Sequence, residues 1–259
     1  GEFIAILDAD FVPEPDFLKR LMPHFVDGVG MVQARWTHLN RDQDWLTRMQ
    51  ALLLDGHFVI EHAARHASGR FFNFNGTAGI WRRSCIQDAG GWTHDTITED
   101  LDLSYRAQLA GWRFVFLPDV LVPAELPLGM SAFLTQQHRW AKGTVQTARK
   151  LLGTILVAPH PWRVRLEAWV HLSSPVGYPL LIALAILLPP AVAARARLGL
   201  SGLGLVDLVV VSLTTGSIGL FFASALTRQG RRLRDHIWEL PMTMALGVGL
   251  CASQTLAVL

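Results

Sequence analysis

The chain has 259 residues, with 23 Lys and Arg against 21 Asp and Glu, so its formal net charge is only +2. This balance gives no strongly basic surface and argues against a nucleic-acid-binding protein. Hydrophobic residues make up 51% of the chain and the mean hydropathy is +0.29, which is high for a purely soluble protein. The two cysteines, Cys85 and Cys251, lie too far apart to indicate a disulfide framework or a metal knuckle.

Residues 1–158 alternate strand-like and helix-like stretches, which is the pattern of an α/β domain. In chain order, the pattern predicts a strand over 3–7, a helix over 15–25, a strand over 30–36, a long helix over 42–67, a strand over 73–82, a helix over 98–111, a strand over 113–117 and a helix over 131–152. The chain begins inside a predicted strand and ends inside an apolar run, which predicts a piece of a longer protein.

The composition changes after residue 171, where three charge-free stretches begin. Each is long enough to cross a bilayer core, which requires roughly 20 apolar residues per helix. We predict spans at about 172–194, 205–227 and 238–259, preceded by an interfacial helix or linker over 159–171 that mixes aromatic and basic residues. Buried helices of a soluble protein are the alternative.

The loops between these predicted spans differ in positive charge. The loop after the second span holds four arginines and the loop after the first holds two; they are Arg228, Arg231, Arg232 and Arg234, and Arg195 and Arg197. The positive-inside rule places the four-arginine loop in the cytoplasm, and residues 1–158 then lie there too. The sequence therefore predicts an integral protein of the inner or plasma membrane with a cytoplasmic α/β domain.

Two aspartates, Asp8 and Asp10, directly follow the first predicted strand. Carboxylates two positions apart at a strand end converge once the chain turns, and Mg²⁺ or Mn²⁺ prefers such oxygen ligands together with phosphate oxygens and water. The pair is a candidate metal site that would neutralise a diphosphate leaving group. A solvated turn is the alternative that this short pattern leaves open.

A second acidic group, Thr98-Glu99-Asp100, opens a predicted helix. One of its carboxylates is a candidate general base that takes a proton from an acceptor hydroxyl. The alternative is an ordinary helix start, with Thr98 as the N-cap and acidic residues favoured by the helix dipole.

Polar and aromatic residues on the helix over 131–152 form a third candidate. The fork of donors on Arg139 suits a diphosphate, and the face of Trp140 suits the apolar side of a sugar ring; an amphipathic helix with a buried Trp is the alternative. Upstream, Asn75-Gly76-Thr77 is a small, polar segment that lets the backbone approach a ligand closely. A β-bulge or tight packing would explain it equally well.

The order of these motifs is more specific than any one of them. The chain resembles the processive family-2 glycosyltransferases with a GT-A fold, the group of cellulose, chitin and hyaluronan synthases. Their D-x-D, T/E-E-D and Q-x-x-R-W motifs match Asp8/Asp10, Thr98–Asp100 and Gln136/Arg139/Trp140. The segments VQARW at 32–36, FNGTAGIWR at 74–82, AGGW at 89–92 and ELP at 125–127 are similar to the mannan and xyloglucan-backbone synthase-like branch and its bacterial relatives.

The resemblance implies an α/β fold, with the C-terminal part of a GT-A domain over 1–158 and about three transmembrane α-helices over 172–259. It also implies the role of each motif. Asp8 and Asp10 hold the metal and the nucleotide diphosphate, Asp100 is the base and Glu99 supports it, Gln136 and Arg139 face the donor diphosphate, Trp140 stacks on the acceptor end, and Asn75, Gly76 and Thr77 line the acceptor site.

The implied function is inverting, Mg²⁺- or Mn²⁺-dependent transfer of a hexose from a nucleotide-diphosphate sugar to a growing β-linked polysaccharide, with translocation across the bilayer. UDP-glucose and GDP-mannose both fit as donor, and accessory subunits are left open. Two rival functions are non-processive transfer to a lipid carrier and an inactive membrane scaffold. The aspartates and Arg139 are intact, which argues against the scaffold.

The chain departs from the family pattern in three ways. The upstream aspartate motif that grips the nucleotide base is absent, and so is the F-x-V-T-x-K gating loop. Cellulose synthases also carry a histidine where this chain has Trp36, which disfavours a cellulose assignment.

Overall fold

The computed structural model describes residues 1–200 and 202–259 and consists of a mixed β-sheet with helices on both faces and a helical C-terminal part. The strands are β1 (Phe3–Ile6), β2 (Val29–His38), β3 (Gly79–Arg82) and β4 (Arg113–Ala124). The helices are α1 (Phe17–Leu21), α2 (Trp45–Asp55), α3 (Ala63–Ala67), α4 (Arg83–Asp88), α5 (Glu99–Leu109), α6 (Met130–Val157), α7 (Trp162–Ser173), α8 (Gly177–Arg197), α9 (Leu203–Arg228), α10 (Leu233–His236), α11 (Glu239–Gly249) and α12 (Cys251–Val258).

The four strands form one sheet in the order β1-β3-β2-β4. Strand β3 is antiparallel to both of its neighbours, whereas β2 and β4 are parallel. Because successive side chains of a strand point to opposite faces, Ile80 and Trp81 enter two different cores. Trp81 packs with Phe114 and Phe116 on one face, and Ile80 packs with Val32 and Leu21 on the other; both cores are fully buried.

The predicted long helix over 42–67 is interrupted. Asp44 and Thr47 form a reciprocal capping box at the start of α2, and a π-helical segment, Gly56–His62, separates α2 from α3. Gly56 allows α9 to approach this segment, since an ideal Cβ there would lie 2.6 Å from the Phe221 ring. Periodicity alone could not reveal the interruption, because apolar residues continue through it.

The predicted strand over 73–82 is a strand only over β3. Residues before it bind side chains instead of a neighbouring strand: the amide N–H of Phe74 donates to Ser104 Oγ at 2.8 Å, and that of Asn75 donates to Gln33 Oε1 at 3.2 Å. Buried backbone donors need a partner, and here α5 and β2 supply it. The segment therefore becomes an irregular loop with fixed geometry.

The C-terminal helices are long and apolar enough to cross a membrane. Two helical stretches, Trp162–Arg197 and Leu203–Arg228, meet that test among the described residues, and α11 with α12 make a third if the pair, bent by 41°, counts as one span. These helices pack on the sheet domain: Phe222 and Leu226 contact Leu52, while Leu246 and Leu250 contact Phe133.

Candidate active site

Two loops meet beside strands β1 and β3 and bring the first aspartates next to the Asn75–Thr77 segment. The backbone N–H of Asp8 donates to Thr77 Oγ1 at 2.7 Å. Thr77 itself is fully buried. The structure therefore places Thr77 behind the aspartate loop, where it fixes the loop, and not in the wall of the cavity as the sequence predicted.

Asp8 and Asp10 lie close enough to influence each other. Burial, together with the charge of Asp10, raises the pKa of the Asp8 carboxyl above its ordinary value. A bound cation would relieve this repulsion, so the donor chemistry fits a hard divalent metal. In the part of the chain that the structure describes, no group of three or more His, Cys, Asp or Glu side chains could hold a metal ion. Phosphate oxygens and water would supply the other ligands.

Asp100 lies in the first turn of α5 and faces the same space. Burial raises the pKa of its carboxyl to about 7, and the charge of Glu99 adds to the increase while Arg139 opposes it. The backbone of Gly76, at φ +83°, lies close to this carboxyl, since an ideal Cβ on Gly76 would lie 3.3 Å from Asp100 Oδ2. Asp100 is thus a carboxyl that gains and loses a proton near neutral pH, as a general base requires.

Thr98 does not cap α5 with its side chain. It contacts Gly143 of α6 instead, at a point where a Cβ on residue 143 would overlap the Thr98 side chain. The helix that carries Glu99 and Asp100 is therefore positioned by a close helix–helix contact, not by the N-cap that the alternative interpretation of this motif predicted.

Gln136, Arg139 and Trp140 lie on one face of α6. Residues three and four positions apart on a helix are neighbours, and all three side chains line the cavity that contains Asp100. The spacing Q-x-x-R-W thus presents an amide, a guanidinium and an indole to one space.

The site is a cavity of about 330 Å³, referred to below as the first cavity. All of the predicted site residues except Thr77 line it: Asp8, Asp10, Asn75, Gly76, Glu99, Asp100, Gln136, Arg139 and Trp140. Trp36 and the segment Glu125-Leu126-Pro127 also line it. No site role was predicted for them from the sequence, although both lie in segments quoted for the family resemblance.

A second cavity of about 410 Å³ adjoins the first. The two share Trp36, Leu54, Asn75, Thr98, Asp100, Gln136 and Trp140. The second cavity extends away from the aspartates to Tyr178, Gly247 and Leu250 in the C-terminal helices. Asp100 and Trp140 therefore stand between an acidic space and a space that reaches the apolar helices.

Comparison with known proteins assigns the family. The model of "Glycosyl transferase family group 2" matches residues 3–194. The chain belongs to this glycosyltransferase family. The sequence resemblance to family 2 is thereby confirmed, and so is the GT-A-type fold with two to three membrane-length helices.

Two curated relatives are plant enzymes. Glucomannan 4-beta-mannosyltransferase 1 of Oryza sativa subsp. japonica is 49% identical over 157 residues, which cover 60% of this chain and 30% of that protein. Glucomannan 4-beta-mannosyltransferase 2 of Arabidopsis thaliana is 48% identical over 157 residues, covering 60% of this chain and 29% of that protein. The matched part of the chain spans about 30% of the length of these relatives.

A solved structure shares the fold of this family 2 chain. A mannosyltransferase from Pyrobaculum calidifontis, in complex with GDP-Man and Mn²⁺, superimposes with a TM-score of 0.51 at 21% sequence identity. The match covers 88% of this chain and 62% of the other.

Proposed function

We propose that this family 2 glycosyltransferase transfers mannose from GDP-mannose to the end of a β-linked polysaccharide, with inversion at the anomeric carbon. One observation carries the proposal: Asp8, Asp10, Asp100 and Arg139 line a single cavity. The plant relatives are named as mannosyltransferases and the solved neighbour holds GDP-Man, which favours GDP-mannose over UDP-glucose.

In this proposal one end of the first cavity binds the donor and the other end binds the acceptor. Asp8 and Asp10 would hold Mg²⁺ or Mn²⁺ at the donor diphosphate, and the bound metal would neutralise charge on the leaving group. The guanidinium of Arg139 binds the same phosphates, and Gln136 donates to them. Trp140, Asn75 and Gly76 hold the acceptor sugar on the side of the second cavity.

The chemical step uses Asp100. Its carboxylate takes the proton of the acceptor hydroxyl, whose oxygen forms a bond to the anomeric carbon from the face opposite the diphosphate. The bond between that carbon and the phosphate oxygen breaks, and the electron pair leaves with GDP. Glu99 stabilises the protonated form of Asp100 afterwards, since its charge raises the pKa of the Asp100 carboxyl.

The test compares Asp100→Asn with wild type in membranes that carry the protein. Transfer of labelled mannose is expected to fall by about 10²- to 10⁴-fold, because a positioned base contributes that much. Binding of GDP-mannose is expected to persist, since Asp100 does not hold the donor. Wild-type transfer is expected to stop with EDTA and to return with Mn²⁺ or Mg²⁺.

Asp88→Asn is the matched control, because Asp88 is exposed and lies outside the first cavity. It is expected to transfer mannose like wild type. Unchanged transfer in Asp100→Asn would refute the assignment of the base. Use of UDP-glucose in place of GDP-mannose would refute the assignment of the sugar.

We further propose that synthesis is processive, that the domain of residues 1–158 is cytoplasmic, and that the second cavity leads the polymer toward the membrane helices. Its extension to Tyr178 and Gly247 supports this direction. Transfer to a lipid carrier is the rival. Product length separates the two, since a polymer grows with reaction time and a glycolipid keeps one added sugar and extracts into organic solvent.

A further inference from the structure

The second cavity has a polar wall made by the π-helical segment Gly56–His62. His57 and Glu61 both line that cavity, as does Asn75. The His57 ring connects the other two: Nε2 lies 3.1 Å from Asn75 Oδ1, and Nδ1 lies 3.3 Å from Glu61 Oε2. Neither His57 nor Glu61 belongs to a sequence motif discussed above.

The direction of these hydrogen bonds follows from Asn73. Asn73 Nδ2 donates to Asn75 Oδ1 at 3.1 Å, and Asn75 Nδ2 donates to the Asn73 carbonyl at 3.4 Å. The oxygen of the Asn75 amide therefore faces His57, so that His57 Nε2 is the donor in this contact. Because an ionised Glu61 only accepts, both contacts form together when both ring nitrogens of His57 carry hydrogen. A chain of hydrogen bonds thus runs from the π-helical segment to Asn75. The next residue, Gly76, lies beside Asp100.

Glu61 presents an ionised carboxylate to the cavity. Burial alone would raise the pKa of this carboxyl, but the hydrogen bond from His57 and the positive charges of His57 and Arg65 bring the pKa below its ordinary value. Arg65 Nη1 lies 3.8 Å from Glu61 Oε2. In the described part of the chain, His57 is the only hydrogen-bond donor to Glu61, and the Glu61 side chain remains 44% exposed.

Aromatic rings line the same cavity as this carboxylate. Trp36, Phe58, Trp140 and Tyr178 line the same space. An ionised carboxylate accepts hydrogen bonds from neighbouring hydroxyl groups, while aromatic faces cover the apolar C–H sides of a sugar ring. The combination of one acceptor-only group with several rings fits a carbohydrate and does not fit a nucleotide phosphate, which a carboxylate repels.

We propose that Glu61 binds hydroxyl groups of the acceptor sugar in the second cavity, and that His57 is a positioning residue that holds both Glu61 and Asn75 in place. The pair determines how the acceptor chain is held while its end faces Asp100. This inference rests on the proposed function and adds to it residues that recognise the acceptor.

The experiment measures mannose transfer from GDP-mannose to added β-1,4-linked mannotetraose in membranes that carry each variant. Glu61→Gln keeps the shape of the side chain but loses the charge, and it is expected to raise the KM for mannotetraose about tenfold or more, since hydrogen bonds to charged groups are the stronger ones. The KM for GDP-mannose and the kcat at saturating mannotetraose are expected to stay within about twofold of wild type. Glu61→Asp keeps the charge and is expected to give a smaller rise; it also serves if Glu61→Gln does not accumulate.

Glu167→Gln is the matched control. Glu167 accepts from Arg65 Nε at 2.8 Å, so this variant removes the other carboxylate partner of Arg65 without touching the second cavity. Its KM for mannotetraose is expected to equal that of wild type. Equal KM increases in Glu167→Gln and Glu61→Gln, or an unchanged KM in Glu61→Gln, would overturn the inference. If the wild-type protein transfers no mannose from any donor, the proposed function is overturned, and the inference with it.

Discussion

At the scale of single residues, Asp100 is the group whose chemistry depends most on its surroundings. Its carboxyl is buried beside the Glu99 charge, and the two effects raise its pKa to about 7. A solvated aspartate would be ionised at neutral pH but would be a much weaker base. The fold thus converts an ordinary aspartate into one whose ionised form takes up a proton near neutral pH.

The proton on Asp100 predicts how transfer depends on pH. The proposed base, Asp100, acts only when ionised, so kcat/KM for the acceptor is expected to rise about tenfold per pH unit below pH 7 and to level off above it. Initial rates of mannose transfer from pH 5.5 to 8.5, at fixed ionic strength, measure this profile. A flat profile over that range would contradict the assignment.

The same pKa has a consequence for stability. The unfolded chain loses this proton at about pH 4 and the folded state loses it at about pH 7, so between those values only the folded state carries it. The stability that this group contributes is therefore lost as pH rises through that window. Asp100→Asn removes the dependence. The variant is therefore an inactive protein that should unfold at pH 8 at a temperature no lower than that of wild type, which serves as the folding control for the pH profile.

The sequence predicted which side chains would lie together wherever a motif determined both the residue types and their order, while their roles stay predictions. The aspartates, Asp100 and Arg139 line one cavity as the spacing suggested. The position of Thr77 outside the cavity could not be predicted, because it depends on an irregular loop whose backbone donors bind side chains of α5 and β2. Glu61 and His57 were missed because they lie in an apparently regular amphipathic helix.

At the scale of elements, the contact between α5 and α6 sets the position of Asp100, the proposed base, relative to the face of α6 that carries Gln136 and Arg139. Thr98 precedes α5 and packs directly on Gly143, one turn after Trp140 in α6. Since Glu99 and Asp100 follow Thr98 immediately, a small shift at this contact moves the carboxyl of Asp100 against Arg139. Contacts between elements also set the strand lengths: β3 is shorter than predicted because the residues before it bind side chains of α5 and β2, and β4 is longer because 121–124 pair with 35–38 of β2.

Gly143→Ala tests this contact. The added methyl group overlaps the Thr98 side chain, so α5 and α6 are expected to separate slightly and mannose transfer to fall by about 10²-fold, as small misplacements of reacting groups do. Gly153→Ala on the same helix is the control, since an ideal Cβ there meets nothing within 4 Å. It is expected to stabilise α6 by about 0.5–1 kcal/mol with normal transfer. Equal transfer by the two variants would contradict the role of the contact.

At the scale of the whole molecule, the sheet domain and the apolar helices are joined by a buried ion pair. Arg41 Nη2 lies 2.7 Å from Glu239 Oε2, and His236 Nδ1 lies 2.8 Å from the other oxygen of that carboxylate. Glu239 is fully buried at the start of α11, while Arg41 belongs to the loop between β2 and α2. The packing of the apolar helices on the sheet domain therefore depends on contacts between residues almost 200 positions apart, which no local sequence pattern could predict.

Arg41→Met is expected to destabilise the protein by about 3–5 kcal/mol, because it leaves a buried carboxylate without its main partner. Thermal unfolding in detergent measures the change. Arg234→Met is the control, since Arg234 is 74% exposed and lies 3.4 Å from the exposed Asp235; it should cost about 1 kcal/mol or less. A similar loss in both variants would show that the buried pair has no special role.

The π-helical segment Gly56–His62 rotates the side chains that follow it, relative to those of α2, by an amount that a continuous α-helix would not give. Before it, Leu52 faces α9; after it begins, Phe58 enters the sheet core and His57 reaches Asn75. Removing one residue from an α-helical path rotates everything beyond it by about 100°. A single-residue deletion within 56–62 would thus change the orientation of the side that packs on α9 relative to the side that lines the second cavity. The length of this segment keeps the second cavity aligned with the apolar helices, in addition to the individual contacts of Gly56 and Phe58.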